Sequence, residues 1–125
     1  MCEQKPDIQG RSFAFAVRIM KLVRALPRDI AGYTVAKQLA RSGTSVGANI
    51  EEAQASHSKR EFIRRMNIAR SEARETWYWL RLLSETEILP QEQLRPIVDE
   101  SEEIVRVMTT IVKTARKNED AASTK

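Results

Sequence analysis

Apolar residues recur at helical spacing along most of the chain and predict four amphipathic helices. In the first, residues 12–26, Ser12 is the expected N-cap, and Pro27 ends the helix because proline cannot donate a backbone hydrogen bond. Residues 1–11 are expected to be a flexible lead-in. Two apolar stripes give this helix a wide apolar face, formed by Phe13, Ala16, Met20 and Val23 and by Phe15, Ile19, Leu22 and Leu26.

The second predicted helix, residues 33–55, is rich in small residues around Gly43 and Gly47. A glycine costs a helix about 1 kcal/mol relative to alanine. We therefore expect another helix to approach closely here, although a merely weak helical segment is the alternative. The inward series of this helix is Val35, Leu39, Ser42, Val46, Ile50 and Ala53.

The last two helices have clear starts. Ser58 and Glu61 match a capping box at the beginning of the third helix, which is expected to run to about Glu85. The fourth follows Pro90, contains Pro96 in its first turns and is expected to end near Lys117, before a disordered tail over 118–125. Four long helices with short links predict a single all-α domain over 12–117, an antiparallel up-down-up-down four-helix bundle.

Consecutive aromatic residues in the third helix predict self-association. Trp77 and Trp79 point about 200° apart on a helix, so one bundle core cannot bury both. We expect Trp77, Tyr78 and Trp79 to form an oligomer interface. The alternative is that one tryptophan lies flat on the surface beside Arg81.

Composition and charge narrow the function classes. The formal net charge of +4 permits RNA, DNA or an acidic membrane surface as partners, but arginines that serve only solubility are also compatible. Cys2 is the only cysteine, so no intrachain disulfide forms. Residues 1–10 lack the apolar core of a signal peptide, and no apolar run approaches the roughly 18 residues that a membrane span needs. A cytoplasmic protein without a membrane partner is expected.

Motifs for catalysis and for cofactors are missing from the sequence. His57, the only histidine, is expected in a loop, and no cysteine–histidine cluster, phosphate loop or dinucleotide fingerprint occurs. We therefore expect no catalytic residue, no metal and no cofactor. Polar residues of the second and third helices could meet as an acid–base pair or, more commonly, as a network that fixes helix register; they are Asn49, Glu52, Ser71 and Glu75, with Arg41 as a further candidate.

A basic stripe on the third helix is the main candidate for ligand binding. Residues spaced three and four apart place arginines and one aromatic ring on one face, namely Arg60, Arg64, Asn67, Ser71, Arg74, Tyr78 and Arg81. The first helix adds Arg18, Lys21 and Arg24. Arginines at this spacing can follow a phosphate backbone, and Tyr78 could stack on a base. A solvated face, or contact with the acidic fourth helix of a neighbour, is equally compatible.

Three segments of the sequence carry a family resemblance. The run Ser45-Val46-Gly47-Ala48-Asn49-Ile50-Glu51-Glu52-Ala53, with Glu61-Phe62-Ile63 and the run from Ala73 to Leu83, resembles the bacterial four helix bundle protein family, also called the 23S rRNA-intervening-sequence protein family. The similarity extends from about Phe13 to Lys117. The family pattern falls on Gln38, Arg41, Ser45, Asn49, Glu52, Ser71 and Glu75, whereas Ala53 and Arg70 stand where many members have glycine.

The resemblance implies a compact antiparallel bundle that assembles as a homopentamer and has no established enzymatic activity. Some members are encoded by insertions within large-subunit ribosomal RNA genes. A related branch, the accessory proteins of diversity-generating retroelements, is thought to bind nucleic acid and a reverse transcriptase. The leading hypothesis is a non-catalytic, oligomeric, RNA-associated protein; the alternatives are a protein-interaction scaffold and an enzyme that uses Glu52 and Glu75.

Overall fold

The computed structural model describes residues 7–123, which form four α-helices joined by short links. These are α1 (Ile8–Arg24), α2 (Ile30–Gln54), α3 (Lys59–Glu85) and α4 (Gln91–Ser123). No β-strand occurs between residues 7 and 123. The prediction of a single all-α domain of four helices is confirmed.

Each helix packs on the next, and α1 also contacts α4, which closes the bundle. Antiparallel order is visible where α1 meets α2, because Ile19 lies at Gly43 while Ser12 lies at Gly47. Within residues 7–123, no Cα atom of α1 lies within 8 Å of a Cα atom of α3. The two helices therefore lie diagonally across the bundle, and their outer faces point in opposite directions.

The ends of α1 and α4 differ from the sequence-based expectation. Asp7, not Ser12, caps α1: its carboxylate accepts from the backbone N–H of Gly10, so the flexible lead-in is wrong for residues 8–11. Ser12 lies in the second turn of α1 and is buried, and its hydroxyl donates to the Gln9 carbonyl at 3.0 Å. Residues 1–6, including Cys2, lie outside the described part of the chain.

At the other terminus, α4 continues to Ser123, so the predicted tail is wrong for residues 118–123; residues 124 and 125 are not described. The sequence beyond Lys117 contains no glycine or proline to stop the helix and includes two alanines, the best helix formers. α2 also begins earlier than expected, because Asp29 caps it and accepts from the Gly32 N–H at 2.7 Å.

The N-cap of α3 and the position of Pro96 in α4 agree with the sequence-based prediction. Ser58 caps α3 and accepts from the backbone N–H of Glu61 at 3.1 Å. The Glu61 carboxylate does not complete the capping box, since it accepts from Arg64 and Arg65. Pro96 lies inside the second turn of α4, as expected.

The core is built from one apolar face of each helix. Its largest fully buried side chains include Phe15, Ile19, Leu39, Ile50, Met66, Leu80, Leu94, Ile104 and Met108. Burial of one such side chain stabilises the fold by about 1.5–3 kcal/mol. Only one of the two predicted α1 stripes contributes fully. Phe15, Ile19 and Leu26 are buried, whereas Phe13 and Met20 are 63% and 45% exposed.

The small residues of α2 permit the close helix contact that the sequence predicted. A Cβ atom added to Gly43 would lie 2.9 Å from Cγ2 of Ile19, which is closer than atoms can pack. At Gly47 the nearest neighbour, Oγ of Ser12, would be 3.4 Å away, an ordinary contact. At Gly43, therefore, α1 and α2 lie too close together for any side chain to fit between them.

Candidate nucleic-acid interface

The seven cationic residues proposed as phosphate contacts fall on two opposite faces. Arg60, Arg64, Arg74 and Arg81 are exposed on α3, and Arg18, Lys21 and Arg24 are exposed on α1. Because α1 and α3 lie diagonally, their outer faces cannot contact the same short nucleic acid within one chain. The structure thus divides one predicted surface into two.

The α3 stripe, defined here as Arg60, Arg64, Arg74, Tyr78 and Arg81, forms the longer of these surfaces. It spans about 32 Å at 1.5 Å per residue. Arg64 pairs with Glu61 at 3.1 Å but keeps 56% of its side chain exposed. The guanidinium of Arg81 lies 4.2 Å from the ring centre of Trp77, which holds it in place by a cation–π contact. The stripe therefore presents accessible positive charge along most of α3.

Each end of the α3 stripe opens into a cleft between α3 and α4. Near the end of α3, Tyr78 and Arg81 face Gln91 across a cleft of about 460 Å³. Near its beginning, Arg60 and Arg116 line a smaller cleft of about 260 Å³. Both clefts follow from antiparallel packing, which sets the first turns of one helix beside the last turns of the other.

The two tryptophans lie on opposite sides of the buried face of α3. Trp79 packs against the core and donates from Nε1 to Glu75 at 3.1 Å, while Trp77 is half-buried beneath Arg81. Tyr78 is 51% exposed and meets Trp79 edge to face at 5.2 Å. One chain thus covers much of both indoles, and their 200° separation does not require a second subunit. An oligomer interface at Trp77, Tyr78 and Trp79 stays a prediction.

Arg41 and Asn49, the two polar residues of α2 that the sequence singled out and that bond to α3, lie in separate clusters. In the first, Arg41 donates to Glu72 at 2.8 Å and also to Glu75. In the second, two turns along α2, Arg65 donates to Oδ1 of Asn49 at 3.3 Å. Asn49 also donates from Nδ2 to the backbone carbonyl of Ser45 at 2.9 Å and to its hydroxyl at 3.1 Å.

The predicted meeting of Asn49, Glu52, Ser71 and Glu75 is wrong. The antiparallel register sets residue 41 opposite 72–75 and residue 49 opposite 65, so Asn49 and Glu75 fall about 12 Å apart along the seam. Glu52 is exposed, and Ser71 faces outward with Tyr78, seven residues further along the same face. The arrangement does not bring Glu52 and Glu75 together as an acid–base pair.

Comparison with known proteins identifies the family of this chain. A family model described as 23S rRNA-intervening sequence protein matches residues 4–110. The chain belongs to this family. It is also similar to a crystal structure from Bacteroides thetaiotaomicron, described as a protein of unknown function from the S23 ribosomal protein family. That match has a TM-score of 0.80 and 43% identity and covers 86% of this chain and 99% of the other. No curated protein matches the sequence significantly.

In this member of the 23S rRNA-intervening sequence protein family, ion pairs join α2 to α3 and α1 to α4. Arg41 lowers the pKa of Glu75 below its ordinary value, and the Trp79 N–H adds to this effect against the opposing influence of burial. Arg11 on α1 makes two 2.8 Å hydrogen bonds to Glu100 on α4 and lowers the pKa of that carboxyl. Both carboxylates are therefore ionised at neutral pH. Glu75 links α3 to α2 through Arg41, and Glu100 links α4 to α1 through Arg11.

Sequence reasoning missed Glu72, Arg65 and the Arg11–Glu100 pair. The spacing of Glu72 and Glu75 by three residues would have indicated two carboxylates on neighbouring turns, but only the register shows that Arg41 lies opposite them. Long-range pairs such as Arg11–Glu100 leave no local signal in the sequence.

No group of three metal-ligating side chains occurs among residues 7–123. His57 is exposed in the link between α2 and α3, where the sequence placed it. No helix of the described chain is both long and apolar enough to cross a membrane.

Proposed function

We propose that this protein is a non-catalytic homo-oligomer that associates with RNA through the α3 stripe. The observation that carries the proposal is the alignment of four exposed arginines with a half-exposed tyrosine on one helical face. Arginine binds phosphate through several N–H donors, and exposed aromatic rings stack on unpaired bases. The family description, which refers to 23S rRNA, and the ribosomal family of the similar crystal structure support RNA over other polyanions.

A salt titration tests the association with RNA. We expect a labelled, structured RNA to bind at low salt, with the logarithm of the association constant falling by about 0.7–0.9 per phosphate contact for each decade of salt. Three to four contacts predict a slope near −3. Fluorescence anisotropy over a range of salt concentrations measures it, with duplex DNA as the comparison. Failure of both nucleic acids to bind at low salt would remove the proposal.

The oligomer is supported by an apolar stripe on α1 that the chain itself does not cover. Phe13, Val17 and Met20, spaced four and three residues apart, are 63%, 39% and 45% exposed. Contiguous exposed apolar side chains are typical of interaction surfaces. Because α3 lies diagonally to α1, contacts through the α1 stripe would leave the α3 stripe on the outside of the assembly.

Charge complementarity indicates which surface covers the α1 stripe. Arg18, Lys21 and Arg24 flank the stripe, whereas Asp99 and Glu103 are exposed on α4. We propose that α1 of one copy packs against α4 of the next. Such a head-to-tail contact closes into a ring when the rotation between copies permits it, and the homopentamer implied by the family resemblance would be such a ring.

Sedimentation of two matched variants tests this contact. Phe13→Glu combined with Met20→Glu is expected to shift the protein to monomers, because each contact between copies would then bury two carboxylates without partners. Tyr78→Glu, which alters the aromatic segment of α3, is expected to leave the oligomer intact. If Tyr78→Glu produces monomers and the α1 double variant stays assembled, the interface lies at Trp77, Tyr78 and Trp79 instead.

A protein-interaction scaffold is the second candidate, because the exposed α1 stripe could equally contact a different protein. Recovery of one stoichiometric protein partner after nuclease treatment, from a chain that is monomeric alone, would favour it over the RNA proposal.

A further inference from the structure

The larger cleft between α3 and α4 has the chemistry of a small binding site. Tyr78, Arg81 and Glu85 face it from α3 because they are spaced three and four residues apart, and Gln91 faces it from the first turn of α4. A smaller adjoining cleft of about 200 Å³ shares Ser84, Gln91 and Val98 with it and adds Arg95 and Asp99. Together the two clefts form one groove with an arginine on each side.

The walls of this groove are held in position by other contacts. The Tyr78 ring packs edge to face on Trp79, and the Arg81 guanidinium lies over Trp77. Gln91 donates from Nε2 to the Ser84 carbonyl at 3.2 Å, which orients its amide. Little conformational freedom would be lost when a flat ligand enters, and this favours binding.

A nucleobase matches these groups. A base offers a flat face, which Tyr78 can stack against, and an edge with donors and acceptors, which the Gln91 amide and the Glu85 carboxylate can bond. The phosphates on either side of that base carry negative charge, which Arg81 and Arg95 complement. The volume of about 460 Å³ exceeds that of one base, so the groove can admit a nucleotide with its sugar.

We propose that this groove binds one unpaired nucleobase of a single-stranded RNA whose backbone follows the α3 stripe. Tyr78 lies one turn beyond Arg74 and one turn before Arg81, so a strand tracking the arginines reaches the groove directly. A base inside a duplex is stacked and paired and would have to be extruded first. The inference rests on the proposed RNA association and adds that unpaired bases, not only phosphates, are recognised.

The test compares two polyanions on matched variants. The probes are a labelled single-stranded RNA of twelve nucleotides and an inorganic polyphosphate of similar charge, which has no bases. Tyr78→Ala is expected to weaken binding of the RNA about 5- to 150-fold, the effect of losing one base-stacking contact. It is expected to leave binding of the polyphosphate unchanged.

Two controls isolate the role of the ring. Tyr78→Phe keeps the stacking face and is expected to bind RNA within about twofold of the wild type. Tyr33→Ala removes a tyrosine that is 60% exposed on α2 and does not line the groove, and this variant is expected to bind as the wild type does. Circular dichroism and sedimentation establish that all variants remain folded and assembled alike.

The outcomes separate this inference from the proposal beneath it. If Tyr78→Ala binds RNA as tightly as the wild type does, or if RNA binds no better than polyphosphate, the base site is wrong while the electrostatic association stands. If neither probe binds at low salt, both proposals are wrong. A stronger preference for duplex than for single-stranded RNA would also overturn the base site.

Discussion

Replacing Arg60, Arg64 and Arg74 together with glutamine is expected to weaken RNA binding roughly 100-fold at low salt. Each exposed contact between an arginine and a phosphate contributes about 1 kcal/mol, so three contacts contribute about 3 kcal/mol. The salt slope should fall by about 2–3 because three fewer counterions are released. Anisotropy titrations at several salt concentrations measure both quantities.

The α1 cations supply the matched control for this variant. Replacing Arg18, Lys21 and Arg24 with glutamine removes three positive charges, as the α3 variant does, and so lowers the formal net charge equally, from +4 to +1 (4 − 3 = 1). With a short RNA that spans a single copy, so that any loss of the proposed α1–α4 contact does not alter the affinity, the α1 variant should lose less than about fivefold, through the weaker general field. Equal losses in the two variants would show that net charge, and not the α3 face, determines binding.

Gly43→Ala is expected to destabilise the bundle by up to about 2 kcal/mol. The new methyl group would lie 2.9 Å from Cγ2 of Ile19, and such overpacking costs about 1–3 kcal/mol. Replacement of a helical glycine by alanine returns about 1 kcal/mol, which offsets part of this cost. Urea denaturation followed by circular dichroism, at one fixed protein concentration, measures the free energy of unfolding.

Gly47→Ala is the matched control, four residues along the same helix face. Its added Cβ would meet Ser12 at 3.4 Å, so the helix propensity gain should dominate and stabilise the protein by up to about 1 kcal/mol. In an Ile19→Ala background, which removes the clashing atoms, Gly43→Ala should become neutral or stabilising. A Gly43→Ala protein that is as stable as the Gly47→Ala protein would contradict the close contact between α1 and α2.

The α1 stripe and the α3 stripe lie on opposite sides of the bundle, so self-association through one is compatible with RNA binding through the other. Self-association through Phe13, Val17 and Met20 would bury α1, whereas Tyr78 and the α3 arginines remain outside. Several copies of the α3 stripe on one assembly would raise the overall affinity for a long RNA through multivalency. The variant that is expected to be monomeric, Phe13→Glu with Met20→Glu, should therefore bind a long RNA more weakly than the wild type does. Its affinity for a short RNA, which contacts one copy only, should be unchanged.

The sequence alone determined the four helices, because apolar spacing of three and four residues and the punctuation by Pro27, Ser58 and Pro90 are local properties. It also determined the close contact at Gly43, since glycines in a helix interior need a compensating reason. Helix ends were harder to predict, because Asp7 and Ser12 are both good capping residues and only the packed structure selects between them.

Only the tertiary structure decided which side chains share a surface. The sequence could not show that Phe13 stays exposed while Phe15 is buried, because a helix with a wide apolar face does not specify how many neighbours it has. Nor could it separate the α1 cations from the α3 stripe or place Arg41 against Glu72 and Glu75. These relations depend on the diagonal arrangement and the antiparallel register, which are set by packing between distant segments and not by local spacing.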